Sequence, residues 1–307
     1  MADPVRVGFG TAHLFLRPDD EARSAAVLAA VLALPVGLID TAPSYGHGRS
    51  EERVGVALAG LARRPLVTTK VGLEPARDPS PLLRAAKAAS RRLPAAVQQR
   101  LRGGGGERRG LDPGLVRASI SRSLQRLGRV DRLLLHEVHP ADLTDEVLGI
   151  LAGSLAAGDV TAVGVATQDV LTAPCVVRAP DLLTVAHVTA SLLRPPVVLP
   201  AGVTVRVGHG LLGPAAADLS ALRAVLGSSG ELADRWAAAV AGTSWEGPDG
   251  LAHAVLGAAA GRGLTDVVVA TSRANAVAGT VAAAAAPPPP EIARALAALA
   301  TQCSTTE

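Results

Sequence analysis

The chain has 307 residues, of which 49% are hydrophobic and 19% charged, a composition that excludes a disordered chain. No apolar stretch runs for the roughly 18 unbroken residues of a membrane span, and the N-terminus lacks the basic and apolar regions of a secretory signal. The net charge is only +3, with arginines spread along the chain, and two cysteines build no disulfide framework. We therefore expect a cytoplasmic protein with neither nucleic-acid nor membrane partners.

Eight short apolar runs predict eight strands. They read as continuous Val, Leu and Ile stretches, which is typical of parallel strands buried on both faces. The predicted strands are Val5–Gly10, Val36–Asp40, Leu66–Lys70, Val130–His136, Thr161–Thr167, Leu182–Val188, Thr204–His209 and Asp266–Ser272. The first run ends in Gly8-Phe9-Gly10-Thr11, but it lacks the third glycine and the later acidic residue of a dinucleotide-binding Rossmann loop.

Helical stretches separate these strands. They are Asp19–Leu34, Ser50–Ala62, Pro113–Leu127, Leu143–Ala157, Leu219–Ala241, Asp249–Arg262 and Asn275–Ala285. Eight strands alternating with helices in about 300 residues predict an α/β fold, a single-domain (β/α)8 TIM barrel. We assign residues 1–286 to the barrel and residues 287–307 to a Pro-rich spacer and a C-terminal helix near Glu291–Ala300.

One long irregular segment, from Gly72 to Leu111, follows the third predicted strand. Such a segment inside a barrel is usually a functional or a disordered loop. Several arginines in it would attract an anionic substrate, or they would form a solvated basic loop.

Ionisable residues end three of the apolar strands. Asp40 follows Val-Gly-Leu-Ile, Lys70 follows Leu-Val-Thr-Thr, and His136 follows Leu-Leu-Leu. Tyr45, the only tyrosine, lies five residues after Asp40, and Lys70 is one of only two lysines against 28 arginines. Catalytic groups of a barrel collect at the carboxyl ends of its strands, so we expect these four side chains to meet there.

This set of side chains suits acid–base chemistry at a carbonyl group. A buried Lys70 and Asp40 on neighbouring strands would pair with each other. An ammonium near the phenol lowers the tyrosine pKa from about 10 towards a useful range. A neutral His136 could then hydrogen-bond a substrate oxygen while Tyr45 delivers a proton to it.

Several motifs together resemble the aldo-keto reductases, with a likeness to the bacterial aldose or fucose dehydrogenase branch. They are Asp40-Thr-Ala-Pro-Ser-Tyr45-Gly-His-Gly-Arg-Ser-Glu51, Thr69-Lys70-Val-Gly, Leu133-Leu-Leu-His136, Ser119–Gly128 with Val130-Asp131, and Val163-Gly-Val165. The resemblance implies a (β/α)8 barrel, an NADP cofactor and a catalytic tetrad of Asp40, Tyr45, Lys70 and His136. Tyr45 would be the acid–base, Lys70 its pKa depressor, Asp40 the partner of Lys70, and His136 the residue that orients the carbonyl.

The resemblance also assigns cofactor-binding positions, and here the chain departs from the usual residues. Ala166-Thr167 replaces the usual Ser-Asn, Thr184 stands for the usual Gln, and His209 lies where a tyrosine usually stacks on the nicotinamide. Ser272 and Arg273 resemble the phosphate-contacting turn, although Arg273 could instead be a surface cation. The remaining assigned residues are Gly10, Thr11 and Asp40.

Three functions are compatible with these motifs. The first is an NADP-dependent reductase that converts a small-molecule carbonyl to an alcohol, or the reverse. The second is a barrel that has lost nicotinamide and uses Tyr45, Lys70 and His136 for elimination, epimerisation or cyclisation, for example in a biosynthetic pathway. The third is a cofactor-sensing regulatory subunit, which would not need to keep the proton donor. The spacing His136-Glu-Val-His139 is not HExxH, and we expect no metal.

Overall fold

Eight parallel strands close into a barrel in the computed structural model, which describes residues 5–74, 108–109, 111–212 and 218–304. The barrel strands are β1 (Arg6–Gly10), β2 (Leu38–Asp40), β3 (Leu66–Val71), β6 (Arg132–His136), β7 (Ala162–Ala166), β8 (Leu183–Thr189), β9 (Val205–His209) and β10 (Asp266–Val269). Around the barrel they run in the order β1, β10, β9, β8, β7, β6, β3, β2. The (β/α)8 prediction is confirmed, and all eight predicted strands are present.

Ten helices lie among the described residues. They are α1 (Glu21–Leu32), α2 (Arg49–Ala59), α3 (Pro113–Leu127), α4 (Asp145–Ala156), α5 (Asp169–Val177), α6 (Asp218–Ser228), α7 (Gly230–Val240), α8 (Gly250–Ala260), α9 (Val277–Ala285) and α10 (Pro290–Ser304). None of these helices has the length and apolarity needed to cross a bilayer.

Local chemistry explains where the helices begin and end. The Asp112 carboxylate accepts from the Leu115 amide at 3.0 Å at the start of α3, and the Thr144 hydroxyl accepts from the Val147 amide at 3.3 Å at the start of α4. Each of these bonds satisfies an amide that has no partner inside its helix. Gly128 ends α3 with a φ of 70°, a left-handed conformation that glycine adopts without steric cost.

Two helix predictions are corrected by the structure. The single helix expected over Leu219–Ala241 is broken into α6 and α7 at Ser229, whose hydroxyl accepts from the Leu232 amide at 3.4 Å and starts a new helix. Helix α5 is not among the predicted elements, and it contains Pro174 in its interior. The other predicted elements differ from the observed ones by up to four residues at their ends.

The segment after β3 was expected to be a long loop over the carboxyl ends of the strands. Of this segment, β4 (Leu73–Glu74) and β5 (Arg108–Arg109) form a two-stranded antiparallel sheet outside the barrel. Residues 75–107 and 110, which include the other arginines of this segment, lie outside the described residues. The role of this loop therefore stays a prediction.

The barrel interior is a packed core above a polar floor. Its apolar layer is formed by Leu38, Leu134, Ala166, Val185, Val207 and Val268. At the amino ends of the strands, Arg132 donates to Asp266 at 3.2 Å, and both side chains are buried. Pairing removes most of the cost of burying these two charges.

The C-terminal helix α10 packs against α6 and α7. Its buried residues Ile292, Leu296 and Leu299 join Leu222 of α6 and Val240 of α7 in a second hydrophobic cluster. This cluster lies outside the barrel interior and covers the helices that precede β10.

Candidate active site

A cleft of about 520 Å³ opens at the carboxyl ends of the barrel strands. This volume is within the range of pockets that hold small molecules and cofactors. Leu256 of α8 lines it together with residues near or after the ends of the strands: Gly10, Ala12, His13, Asp40, Tyr45, Lys70, His136, Glu137, Ala166, Thr167, His187, His209, Gly210, Leu211, Leu212, Val268, Val269 and Ala270. The four predicted catalytic residues are all among them.

The loop after β2 fixes the position of Tyr45. The chain turns there, with the Tyr45 amide donating to the Ala42 carbonyl at 3.1 Å. Gly46 follows with a φ of 57°, and a Cβ at this position would lie 2.3 Å from the Phe15 carbonyl oxygen. Arg49 Nε also donates to that oxygen, at 3.1 Å. Glycine is therefore required beside Tyr45, and the turn is tied to the loop after β1.

Lys70 connects the predicted catalytic side chains. Its Nζ atom donates to Asp40 Oδ1 at 2.6 Å, to the Thr41 carbonyl at 3.0 Å and to the Tyr45 hydroxyl oxygen at 3.1 Å. An ammonium has three protons, so all three are used. The resulting geometry points one N–H of Lys70 directly at the phenol oxygen.

The charge of this amine is maintained although it is buried, with an exposed fraction of 3%. Burial alone would lower the pKa of Lys70, but attraction to Asp40 and interaction with Tyr45 outweigh it and raise the pKa above 10.5. Lys70 is therefore an ammonium at neutral pH and stabilises negative charge on the Tyr45 oxygen.

The buried carboxylate of Glu51, on α2, anchors β3 by a hydrogen bond. Glu51 Oε1 accepts from the Thr69 hydroxyl at 2.7 Å and from the Ser123 hydroxyl at 2.8 Å, and Oε2 accepts from Arg126 at 3.0 Å. Thr69 immediately precedes Lys70, so this network links the position of the amine to helices α2 and α3.

His136 lies across the cleft from the phenol. The ring centroids of His136 and Tyr45 are 6.0 Å apart, with the rings nearly perpendicular. Burial, then the charge of Lys70 and the neighbouring His209, lower the pKa of His136 to about 3. His136 is therefore neutral at physiological pH and acts as a hydrogen-bonding group rather than a competing acid. Glu137, which follows it, has a φ of 54°, an uncommon conformation that turns the chain at the cleft.

Residues at the ends of β7 and β9 form part of the cleft wall that faces β2. Ala166 and Thr167 line the cleft, as does His209, so the structure brings these three predicted cofactor positions together. The Thr167 hydroxyl donates to the Val138 carbonyl at 2.8 Å. Burial and Lys70 lower the pKa of His209, outweighing the opposing effect of Asp40, so this imidazole is also neutral.

Of the two predicted positions after β1, one lines the cleft and one supports it. Gly10 is at the surface of the cleft. Thr11 is fully buried, and its amide and hydroxyl donate to the Asp40 carbonyl at 2.9 and 3.1 Å. Thr11 therefore fixes the backbone of Asp40 rather than lining the cleft.

The structure does not bring Thr184 to the cleft. It is the second residue of β8, near the amino end of the strand, whereas the cleft lies at the carboxyl end. His187, three residues later, lines the cleft instead and is 3% exposed. Sequence reasoning missed His187, although a histidine close to the end of a predicted apolar strand is the same feature that identified His136.

The turn after β10 carries Ser272 and Arg273, which are both exposed and do not line the cleft itself. Arg273 forms an ion pair with Asp249 at 3.1 Å. The chain then passes through one short turn into α9, beginning at Val277. Arg273 therefore lies on the surface beyond the cleft, with the half-buried Asp249 carboxylate as its partner.

In the described part of the chain, no three His, Cys, Asp or Glu side chains are grouped as metal ligands would be. The cleft histidines His136, His187 and His209 are instead neutral imidazoles around an ion pair.

Comparison with known proteins agrees with this geometry. The model of the aldo/keto reductase family matches residues 6–180, which span more than half of the chain. No protein with a curated functional description matches the sequence significantly.

Solved structures share the fold over nearly the whole chain. A glycerol dehydrogenase from Gluconobacter oxydans is 20% identical, with 98% of this chain and 93% of that chain covered and a TM-score of 0.69. An aldo-keto reductase from Klebsiella pneumoniae in complex with NADPH is 20% identical, with 99% and 96% covered and a TM-score of 0.64. The holo form of an aldo-keto reductase from Bacillus halodurans is 19% identical, with 96% and 91% covered and a TM-score of 0.64. At these identities the likeness shows a common fold.

Proposed function

The chain belongs to the aldo/keto reductase family, and from this premise we propose that it is an NADP-dependent oxidoreductase that interconverts a small-molecule carbonyl and its alcohol. One observation carries the proposal: Lys70 Nζ lies between Asp40 Oδ1, at 2.6 Å, and the Tyr45 oxygen, at 3.1 Å. This is the arrangement that a phenol needs in order to release a proton at neutral pH.

The cleft fits a nicotinamide in size and in its polar groups. The small residues Gly10, Ala166 and Ala270 line the cleft and leave room there for a ring. Thr167 and His209 would contact the ring and its carboxamide, and Ser272 with Arg273 would contact the phosphates. A structural neighbour that is in complex with NADPH supports the same cofactor here.

When bound, reduced nicotinamide supplies the hydride that reaches the carbonyl carbon. Tyr45 donates its proton to the carbonyl oxygen, and Lys70 stabilises the phenolate that remains. Asp40 holds Lys70 in place and offsets its charge. His136, kept neutral by burial and by Lys70, donates a hydrogen bond that orients the carbonyl oxygen towards Tyr45. In the reverse direction the Tyr45 phenolate accepts the proton of the alcohol.

No contact among the described residues favours the redox-neutral chemistry over reduction, so one function is proposed. The natural substrate is a small carbonyl compound or alcohol. The cleft of the protein offers this substrate polar imidazoles rather than an aromatic wall.

The proposal is tested with Tyr45→Phe. The purified protein should bind NADPH, which is measured by the fluorescence of the cofactor. It should also oxidise NADPH in the presence of one or more of a panel of aldehydes, aldoses and ketones, and the loss of absorbance at 340 nm measures this reaction. Tyr45→Phe should bind NADPH equally well but lose turnover by roughly 10²–10⁴-fold, because only the proton donor is removed. Circular dichroism serves as the folding control. Absence of NADPH binding at millimolar concentration, or full activity of Tyr45→Phe, would contradict the proposal.

A further inference from the structure

Two buried polar atoms face each other on opposite sides of the barrel mouth. Asp40 Oδ2 and His187 Nε2 are 3.6 Å apart, and neither has a hydrogen-bond partner in the described residues. Asp40 is 5% exposed and His187 is 3% exposed. Buried polar atoms are costly to leave unpaired, and a movement of a few tenths of an ångström would let these two satisfy each other.

The barrel order makes this contact informative. Strands β2 and β8 are separated by three strands in either direction around the ring, so they lie opposite each other. His187 therefore reaches across the mouth to the carboxylate that holds Lys70. Beside it, on β9, His209 packs at a ring-centroid distance of 5.8 Å and limits how far the imidazole can turn away.

We propose that His187 is a positioning residue of the proton-donating group: its Nε2–H donates to Asp40 Oδ2 and fixes the carboxylate whose other oxygen accepts from Lys70. The chain of contacts then runs from His187 through Asp40 and Lys70 to the Tyr45 oxygen. This inference rests on the proposed function, in which Tyr45 is the acid–base.

The charges around His187 explain why it donates as a neutral ring. The groups that face it are Asp40, Lys70, Arg132, His136 and His209. Burial first, and then the two cations and the two imidazoles, lower the pKa of His187 well below 6.5. A neutral imidazole supports Asp40 without competing with Lys70 as a second cation.

The single tyrosine allows a direct test in protein that holds neither cofactor nor substrate. Absorbance at 295 nm, followed during an alkaline titration, reports ionisation of Tyr45 alone, and Tyr45→Phe supplies the blank. In His187→Ala, Asp40 loses its donor and water enters beside Lys70. Both changes weaken the stabilisation of the phenolate, so the Tyr45 pKa should rise by roughly 0.5–1 unit.

Two further variants separate the hydrogen bond from the loss of a side chain. His187→Gln keeps an amide donor and should titrate like the wild type. His253→Ala removes a histidine from α8, outside the cleft, and should also leave the titration unchanged. If His187→Ala does not fold by circular dichroism, His187→Leu, which fills the volume without a donor, takes its place. An unchanged Tyr45 titration in the donor-free variant, or a shift in His187→Gln as large as in that variant, would overturn the proposal.

The outcome is distinguishable from a failure of the proposed function. If the wild type does not turn over carbonyls with NADPH, the titration still reports whether His187 acts on Tyr45. If reductase activity is found, the limb of the pH–rate profile that reports Tyr45 should move in His187→Ala by the same amount as the absorbance titration.

Discussion

The two halves of the barrel mouth differ in how their polar groups are paired. On one side, the Lys70 ammonium of β3 donates both to Asp40, at the end of β2, and to Tyr45, in the loop after β2. On β8 and β9, His187 and His209 are neutral imidazoles, and His187 Nε2 has no hydrogen-bond partner in the described chain. The comparison teaches that the charged side chains of the first half are paired with each other, whereas the facing half lines the cleft with neutral imidazoles.

The largest effect is expected from breaking the ion pair of the first half. Lys70→Met leaves Asp40 as a buried carboxylate without its cation, so the free energy of unfolding should fall by about 3–5 kcal/mol. Turnover should fall by roughly 10²–10⁴-fold because the phenolate loses its stabilising charge. Urea unfolding followed by circular dichroism measures the first effect, and the NADPH assay measures the second.

A double variant shows whether the loss comes from the unpaired charge. Lys70→Met combined with Asp40→Leu removes both charges and should recover much of the stability without recovering turnover. Equal stability of the single and double variants would show that Asp40 is not left unpaired in Lys70→Met.

Acid should destabilise the protein through the buried histidines of the cleft. The pKa of His136 is about 3 when folded and about 6.5 when unfolded, so the unfolded chain binds more protons below pH 6.5. The contribution of His136 to the free energy of unfolding is therefore fully present above pH 6.5 and is lost as the pH decreases. The loss from His136 alone is about 2 kcal/mol at pH 5. His187 and His209, whose pKa values are also lowered, add to the loss. Urea unfolding between pH 7 and pH 5 measures the slope, which His209→Gln should reduce.

The phosphate end of the facing half is tested by Arg273→Ala. If Arg273 leaves Asp249 for the adenosine 2′-phosphate, which NADH lacks, Arg273→Ala should raise the Kd for NADPH about 10- to 100-fold, while binding of NADH changes little. Arg223→Ala, which removes an exposed arginine from α6, is the matched control. Equal weakening in both variants would show only a general effect of charge.

The smallest effect is a gain. Ala166→Ser restores a hydroxyl at the position where the family usually has serine, on the wall of the cleft. One added hydrogen bond to the carboxamide should tighten NADPH binding by about two- to tenfold. Isothermal titration in the Tyr45→Phe background measures the affinity without turnover, and weaker binding would mean that the ring does not lie against β7.

The sequence was sufficient for the strands and for the meeting of Asp40, Lys70 and His136 at one rim, because both follow from local rules. Apolar runs mark the strands, and a barrel places the residues that end them at one rim, which brings Asp40, Lys70 and His136 together. Thr184 was misplaced because the expected position was counted along an apolar strand that contains no distinguishing residue until His187. The contact between His187 and Asp40 spans the barrel, and no spacing along the chain indicates how close two side chains on opposite strands come to each other.

The polar floor of the barrel determines how reacting molecules enter and leave the cleft. With Arg132 bound to Asp266 beneath a layer of Leu38, Leu134 and Val207, the cylinder is sealed at its lower end. The barrel is therefore open only at the carboxyl ends of its strands. Whatever reacts beside Tyr45 must arrive and depart through the same upper opening, so residues at that rim control both steps.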